Sequence, residues 1–279
     1  MNEMPTFQEE DYIKLLETLI KVLEANKGTA LGEDDRFLYA EGLSKKFIGH
    51  TASALYLFRS TTLQDVKVTD KGISFFDTGS INVLGRAALE SFLVFHYVFV
   101  EPRSDDEKDF RYFLWLRASY IDKQKFPART EEGKKQLNNE KKIIDTLKDK
   151  INSNSVFKQL TEKEKEKLLK GQWRLQSWTS IGVSAGLSEI LAKHFYSYLC
   201  IYAHSGCQSA QQVGNAETTE AQIALCVATM KFIMIAMANM IKAYCQLFDK
   251  SNDVIQEDED AKKLINQWVH IGTSLQNEF

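Results

Sequence analysis

Only three prolines, Pro5, Pro102 and Pro127, interrupt a chain of 279 residues, and apolar residues recur at spacings of three and four along most of it. Proline removes a backbone donor and clashes with the preceding helical turn, so its rarity lets helices run long. The chain therefore reads as all-α, a multi-helix bundle. With 44% hydrophobic residues it can bury a substantial core, and this composition excludes a disordered, collagen-like or Pro/Gly-linker protein.

The period predicts helices over about 7–24, 34–60, 80–100, 104–125, 131–151, 187–203, 217–248 and 260–274. Gly28 is expected to close the first in a left-handed cap. Ser104 with Glu107, and Thr161 with Glu164, have the spacing of capping boxes, the second opening a short charged helix that ends near Gly171. Near 65–76 the period falls to two, which places Val66 and Val68 opposite Ile73 and Phe75 in a small β-hairpin turning over residues 69–72. The segment 173–186 has no period and reads as an ordered loop packed by Trp173 and Trp178. Along 131–151 only Leu137, Ile144, Leu147 and Ile151 make an apolar seam, so this charged rod belongs on the outside. With no internal repeat and no linker, residues 1–279 read as a single helical domain. Its core spans about 7–126 and 172–248, a charged helical excursion protrudes at about 129–170, and a C-terminal helix follows at about 260–274.

The formal charge is −3, from 35 basic and 38 acidic residues, which argues against a whole-protein footprint on nucleic acid and leaves a local one open. Residues 101–170 hold 18 Lys/Arg and 14 Asp/Glu, a local +4, with both signs interleaved as on a solvated helix face. Cys200, Cys207, Cys226 and Cys245 lie late in a long chain, where reduced thiols in the cytoplasm are the natural reading. The start, MNEMPTFQEEDYIK, lacks a basic and then apolar signal pattern. Ala221 to Ile241 has the length of a membrane span, but with Lys231, Gln222 and Asn239 inside it reads as a central core helix, so no membrane role is expected. Met230, Met234, Met237 and Met240 follow helical spacing as core filler.

Two polar stripes stand out on apolar helices. Asn82, Arg86 and Glu90 are four residues apart on one, and Arg before Glu is the weaker order for a free helix, so the stripe needs partners elsewhere. On the second, Glu189, Lys193, Tyr196 or Ser197, Cys200 and His204 share a face, with Cys207 one turn on. His204 sits near a helix C-terminus, where the dipole favours imidazolium. Arg86, Glu90 and His204 are candidate catalytic residues; Asn82, Tyr196, Cys200 and Ser205 are candidate binding residues. Each equally fits satisfied structural polar groups. Cys200, His204 and Cys207 lack a fourth metal ligand, and His50, His96 and His270 have no histidine partner nearby in sequence, so no metal or cofactor is expected.

At GRAALESFLVFHYVFVEP, WRLQSW and HFYSYLCIYAHSG, over about residues 40–245, the chain resembles an uncharacterised family of bacterial helical proteins filed as a domain of unknown function. Arg86 and Glu90 match that family's Arg-x-x-x-Glu helix, and Tyr196, His204 and Ser205 match its later Tyr/His helix. Cys200 stands where the family has a small hydroxyl residue. More distantly the pattern resembles the HEPN (higher eukaryote and prokaryote nucleotide-binding) helical proteins, many of them metal-independent ribonucleases using an Arg and a His on one helix. Here Arg86 and His204 lie on different helices.

Two function classes follow. The first is a non-enzymatic helical module that binds a protein partner or small ligand, with Arg86, Glu90 and His204 holding the bundle together and with homo-oligomers compatible. The second is a metal-independent HEPN-like ribonuclease or nucleotide-binding enzyme. In it His204 would move the 2′-OH proton of RNA, Arg86 would stabilise charge at phosphorus, and Glu90 and Tyr196 would orient them.

Overall fold

In the computed structural model, residues 5–27, 36–66 and 72–275 are described. The chain runs through α1 (Glu9–Glu24), α2 (Arg36–Phe58), β1 (Thr61–Leu63), β2 (Ile73–Phe75), α3 (Thr78–Phe95), α4 (Asp105–Lys123), α5 (Glu131–Ser153), α6 (Ser155–Lys158) and α7 (Glu162–Leu169). It continues through α8 (Trp178–Ser184), α9 (Tyr196–Ala203), α10 (Cys207–Asn215), α11 (Thr219–Leu247), α12 (Lys250–Gln256) and α13 (Glu259–Ser274). A π-helical turn, His96–Val100, extends α3, and another, Leu191–Phe195, leads into α9. The fold is all-α with one two-stranded antiparallel hairpin among the described residues.

Local chemistry sets the boundaries. Asp77, Ser104, Thr130, Thr161, Thr218 and Asp258 each accept a hydrogen bond from the backbone of the third residue on, and such caps contribute about 1 kcal/mol apiece. The Thr161–Glu164 box closes in both directions. At the other, Glu107 reaches back to the N–H of Arg103 instead of that of Ser104.

The hairpin differs from its expected register. β1 is Thr61–Leu63, pairing Thr61 with Phe75, Thr62 with Ser74 and Leu63 with Ile73, and Val66 lies outside it. Thr62 and Ser74 bring their hydroxyls to 2.9 Å, a cross-strand pair that the two valines would not supply. Val68 and residues 69–71 of the expected turn lie outside the described residues, as does Gly28. α1 ends at Glu24, with Ala25 still right-handed. The stretch expected as loop is helical from Trp178 to Ser184, because Ile181 and Gly182 bury one face of α8. Gly182 lies so close to Ala192 that an added Cβ would come within 2.8 Å of that residue's methyl.

The chain divides into two compact units, one of residues 1–96 with 178–279 and one of 97–177. The second begins well before the charged excursion at 129, because α4 packs against α5 and α6. Phe110 and Leu114 of α4 form a core with Ile151, Phe157 and Leu168. Within this unit Arg111, 9% exposed, pairs with Glu101 and with Glu107 at 2.5 Å, and donates to the Tyr97 carbonyl at 2.9 Å. Its guanidinium stands 4.2 Å from the centre of the Tyr97 ring. Burial pushes the Tyr97 phenol up to about 12, so its proton stays on and is donated to Gln176 at 2.8 Å.

In the first unit α11 is the centre. Met230 and the run from Phe232 to Met240 are buried, including all four methionines at helical spacing. α1, α2, α3 and α13 pack around it. Thr78–Val100 and Thr219–Leu247 are long and apolar enough to cross a membrane, and half and two thirds, respectively, of their most apolar stretches are buried inside the chain.

α3 meets α11 at Gly85. A Cβ there would come within 2.5 Å of the Thr229 methyl, with the Leu199 and Ile233 side chains each 3.7 Å away. Overpacking costs about 1–3 kcal/mol, more than the helix propensity that alanine adds. Gly85→Ala is therefore expected to lower the thermal midpoint. Gly85→Ala with Thr229→Ser, which removes that methyl but keeps the hydroxyl, is expected to recover most of the loss. An unchanged midpoint in the single variant would refute the close approach.

Candidate functional site

The polar stripe of α3 serves two different neighbours. Asn82 is fully buried; its amide donates to the Thr78 carbonyl at 2.9 Å and its oxygen accepts from the Thr229 hydroxyl of α11. Both ends of the side chain are thus used inside the core.

Arg86 and Glu90, 22% and 31% exposed, turn instead toward α9. Arg86 Nη2 lies 2.9 Å from Glu90 Oε1, and the same oxygen accepts a 3.0 Å hydrogen bond from the Tyr196 hydroxyl. The Arg86 guanidinium sits 5.8 Å from the Tyr196 ring centre, and Trp178 packs on that ring from α8 at 6.1 Å. Burial works against the Arg86 charge, yet the Tyr196 hydroxyl and the Glu90 carboxylate outweigh it and hold its pKa above the usual guanidinium value. Burial likewise raises the Tyr196 phenol well above 10, against the pull of Arg86. The three groups share donors and acceptors in a set in which the phenol keeps its proton, so Tyr196 offers no base near neutral pH. The Arg86 Nε–H is buried and has no hydrogen-bond partner among the described residues. It is an open donor costing about 1–3 kcal/mol.

His204 does not join them. It caps the C-terminus of α9, exposed, eight residues beyond Tyr196 and hence about 12 Å further along a helix. Its ring makes no hydrogen bond or ion pair with a described residue. What the sequence His-Ser-Gly does here is stop a helix. Ser205 has φ +52°, Ser205 N–H donates to Tyr202 O at 3.3 Å and Gly206 N–H to Ile201 O at 2.8 Å, the paired bonds of a Schellman motif. From Tyr196 to His204 the helix turns about 80° as well as rising about 12 Å, so the spacing that put the two on one face holds neither in angle nor in distance along the axis.

Cys200 lies one turn past Tyr196, half-buried, where the Arg86 charge is felt. Cys207 is exposed at the start of α10, and all four cysteines are free. The π-helical turn at Leu191–Phe195 adds a residue to that turn, so Glu189 and Lys193 fall out of register with Tyr196 and are exposed. Among the described residues no three His, Cys, Asp or Glu side chains are grouped to hold a metal ion. The sequence singled out Trp178 only as packing for a loop; its place beside Tyr196 follows from α8, a helix that reading did not assign. Sequence reasoning passed over Arg111, whose pairing with Glu107 one turn earlier was visible as an i,i+4 spacing.

No family model matches the chain, and neither a curated protein nor a solved structure matches it.

Arg86→Ala and Glu90→Ala are each expected to cost about 1–2 kcal/mol of unfolding free energy, between the values for exposed and for buried pairs. His204→Ala is expected to stay within about 0.5 kcal/mol of wild type. Ser205→Gly should add about 0.5–1 kcal/mol by relieving the left-handed serine. Denaturant titrations check all four. A loss for His204→Ala as large as that for Arg86→Ala would show that the two act together.

Proposed function

We propose that the chain is a non-enzymatic helical binding module that works in the cytoplasm. The unit built on α11 serves as scaffold, and the charged unit of residues 97–177 carries the contact surface for a protein or small ligand. The resemblance to the bacterial helical family, whose matching residues are Arg86, Glu90, Tyr196, His204 and Ser205, is part of this reading.

One observation carries it. Arg86, Glu90 and Tyr196 satisfy one another while His204 stands exposed about 12 Å along the helix. General acid–base chemistry needs a proton donor or acceptor within hydrogen-bond reach of the group it serves, and His204 has neither among the described residues. The charged unit is different. On α5, Leu147 and Ile151 are buried and Leu137 and Ile144 half-buried, which leaves Lys135, Lys142, Asp145 and Asp149 on the outward face. Exposed charge on a rigid helix favours recognition and fast association.

A second reading, the metal-independent ribonuclease, is kept by the open Arg86 Nε–H, a donor of the kind that stabilises phosphoryl charge. One experiment separates them. The wild-type chain, Arg86→Gln and Lys135→Glu/Lys142→Glu are each used as bait in lysate of the source cells and incubated with oligo(U) in EDTA. The binding reading expects no cleavage, and a co-purifying set lost with the lysine variant but kept by Arg86→Gln. Cleavage in EDTA that Arg86→Gln or His204→Ala abolishes would overturn it.

A further inference from the structure

The turn between α4 and α5 carries an aromatic side chain with no apolar cover: Phe126 is 70% exposed. It opens onto a surface pocket of about 460 Å³, with Phe126, Pro127 and Leu137 on its apolar side and Lys134, Asn138 and Lys141 on its polar side. No carboxylate lines this pocket. The frame around it is fixed. Lys123 pairs with Glu140, and Gln124 donates to the Leu137 carbonyl at 3.1 Å, which ties the end of α4 to α5. The Asn138 amide and the Lys141 ammonium make no hydrogen bond or ion pair with a described residue. Lys134 holds Glu131 at 2.6 Å, but both side chains are largely exposed, and such a pair is worth little and exchanges readily.

Lys134, Lys141 and Lys148 recur every seven residues, so they follow one flank of α5 in steps of about 10 Å leading away from Phe126. The unit they belong to, residues 97–177, holds 19 Lys/Arg and 14 Asp/Glu, a net +5, and the rest of the chain carries −8. Charge is thus separated between the two units in a way the total of −3 conceals.

We propose that this pocket and lysine row bind single-stranded nucleic acid, with a base stacked on Phe126, the Asn138 amide at its edge, and phosphates further along the strand on Lys134, Lys141 and Lys148. An exposed π-face beside a row of cations matches the alternation of planar base and phosphate in an unpaired strand, and stacking is tolerant of sequence because every base has a π-face. A pocket of this volume lies within the usual range for small ligands and accommodates one nucleotide unit. The competing occupants fit less of what is there. A bilayer would gain one Phe side chain, about 1.5–3 kcal/mol, too little for a stable anchor. An acidic peptide would use the lysines and leave the aromatic face idle. The proposal rests on the binding-module reading in keeping the charged unit as the contact surface, and gives that surface a nucleic-acid strand in place of a protein or small ligand.

The test is fluorescence anisotropy of labelled oligo(dT) with the full chain, measured over a range of salt. Phe126, Lys134 and Lys141 are surface side chains, so Phe126→Ala and Lys134→Glu/Lys141→Glu are expected to fold, and circular dichroism confirms it. Phe126→Ala should weaken binding by about 5- to 150-fold, the value of one stacked base. The double lysine variant should weaken binding further and lower the salt slope by about 1–2. Lys262→Glu, a charge reversal in the other unit, should change neither. Equal affinity of wild type and Phe126→Ala overturns the proposal, as does binding of polyglutamate or phosphatidylserine vesicles in place of oligo(dT). If oligo(dT) is not bound while the co-purifying set is still lost with Lys135→Glu/Lys142→Glu, this inference falls and the binding-module reading stands. If oligo(dT) binds as expected and oligo(U) is cleaved in EDTA, the pocket stands and that reading falls.

Discussion

Everything in the larger unit depends on how closely α3 can lie against α11. Gly85 permits the approach, because the Thr229 methyl occupies the place a Cβ would take. Thr229 and Asn82 then meet as a buried polar pair within the same contact. With no side chain at 85, van der Waals contact replaces a gap, and a cavity at this point would cost stability in proportion to its volume. α11, buried along most of its length, is the hub for α1, α2 and α13 as well as for α3.

From that seat α3 presents different faces to different neighbours. Residues spaced by four do not stay on one line. At 3.6 residues per turn, Asn82, Arg86 and Glu90 sweep about 80° around the axis. The sweep is enough to hand Asn82 to α11 and Glu90 to α9. The apparent single stripe is therefore two contacts, one sealed in the core and one at its edge, where Arg86, Glu90 and Tyr196 share their donors and acceptors. Such a network stabilises mainly by leaving few buried polar groups unpaired, and the Arg86 Nε–H is the place where it is incomplete.

The long helices were legible because a 3.6 period over fifteen or more residues is hard to mistake, and the capping residues marked their starts. The short ones, α6, α8, α10 and α12, carry too few residues for a period to show, and α8 also contains Gly182, whose value lies in letting α8 approach Ala192. The hairpin was placed at its more regular alternation, whereas the strand formed where two threonines precede Leu63. For the candidate site, a four-residue spacing keeps residues on one face over a single turn only: from Tyr196 to His204 the helix turns about 80° and rises about 12 Å, and the extra residue in the turn before Tyr196 leaves no mark in the sequence. His204, Ser205 and Gly206 looked functional for the same reason they are structural: polar and small residues end helices.

The two units divide the chemistry. One ties polar groups to each other around a central apolar helix, and the other leaves lysines and an aromatic side chain facing outward. The claim on which this division rests is that Glu90 and Tyr196 bind each other across α3 and α9 as part of the architecture. A double-mutant cycle on unfolding free energy, using Glu90→Ala and Tyr196→Phe, measures it directly. The account predicts a coupling of about 0.5–1.5 kcal/mol between the two positions. Strict additivity, within about 0.3 kcal/mol, would contradict it and return both residues to the search for a reactive site.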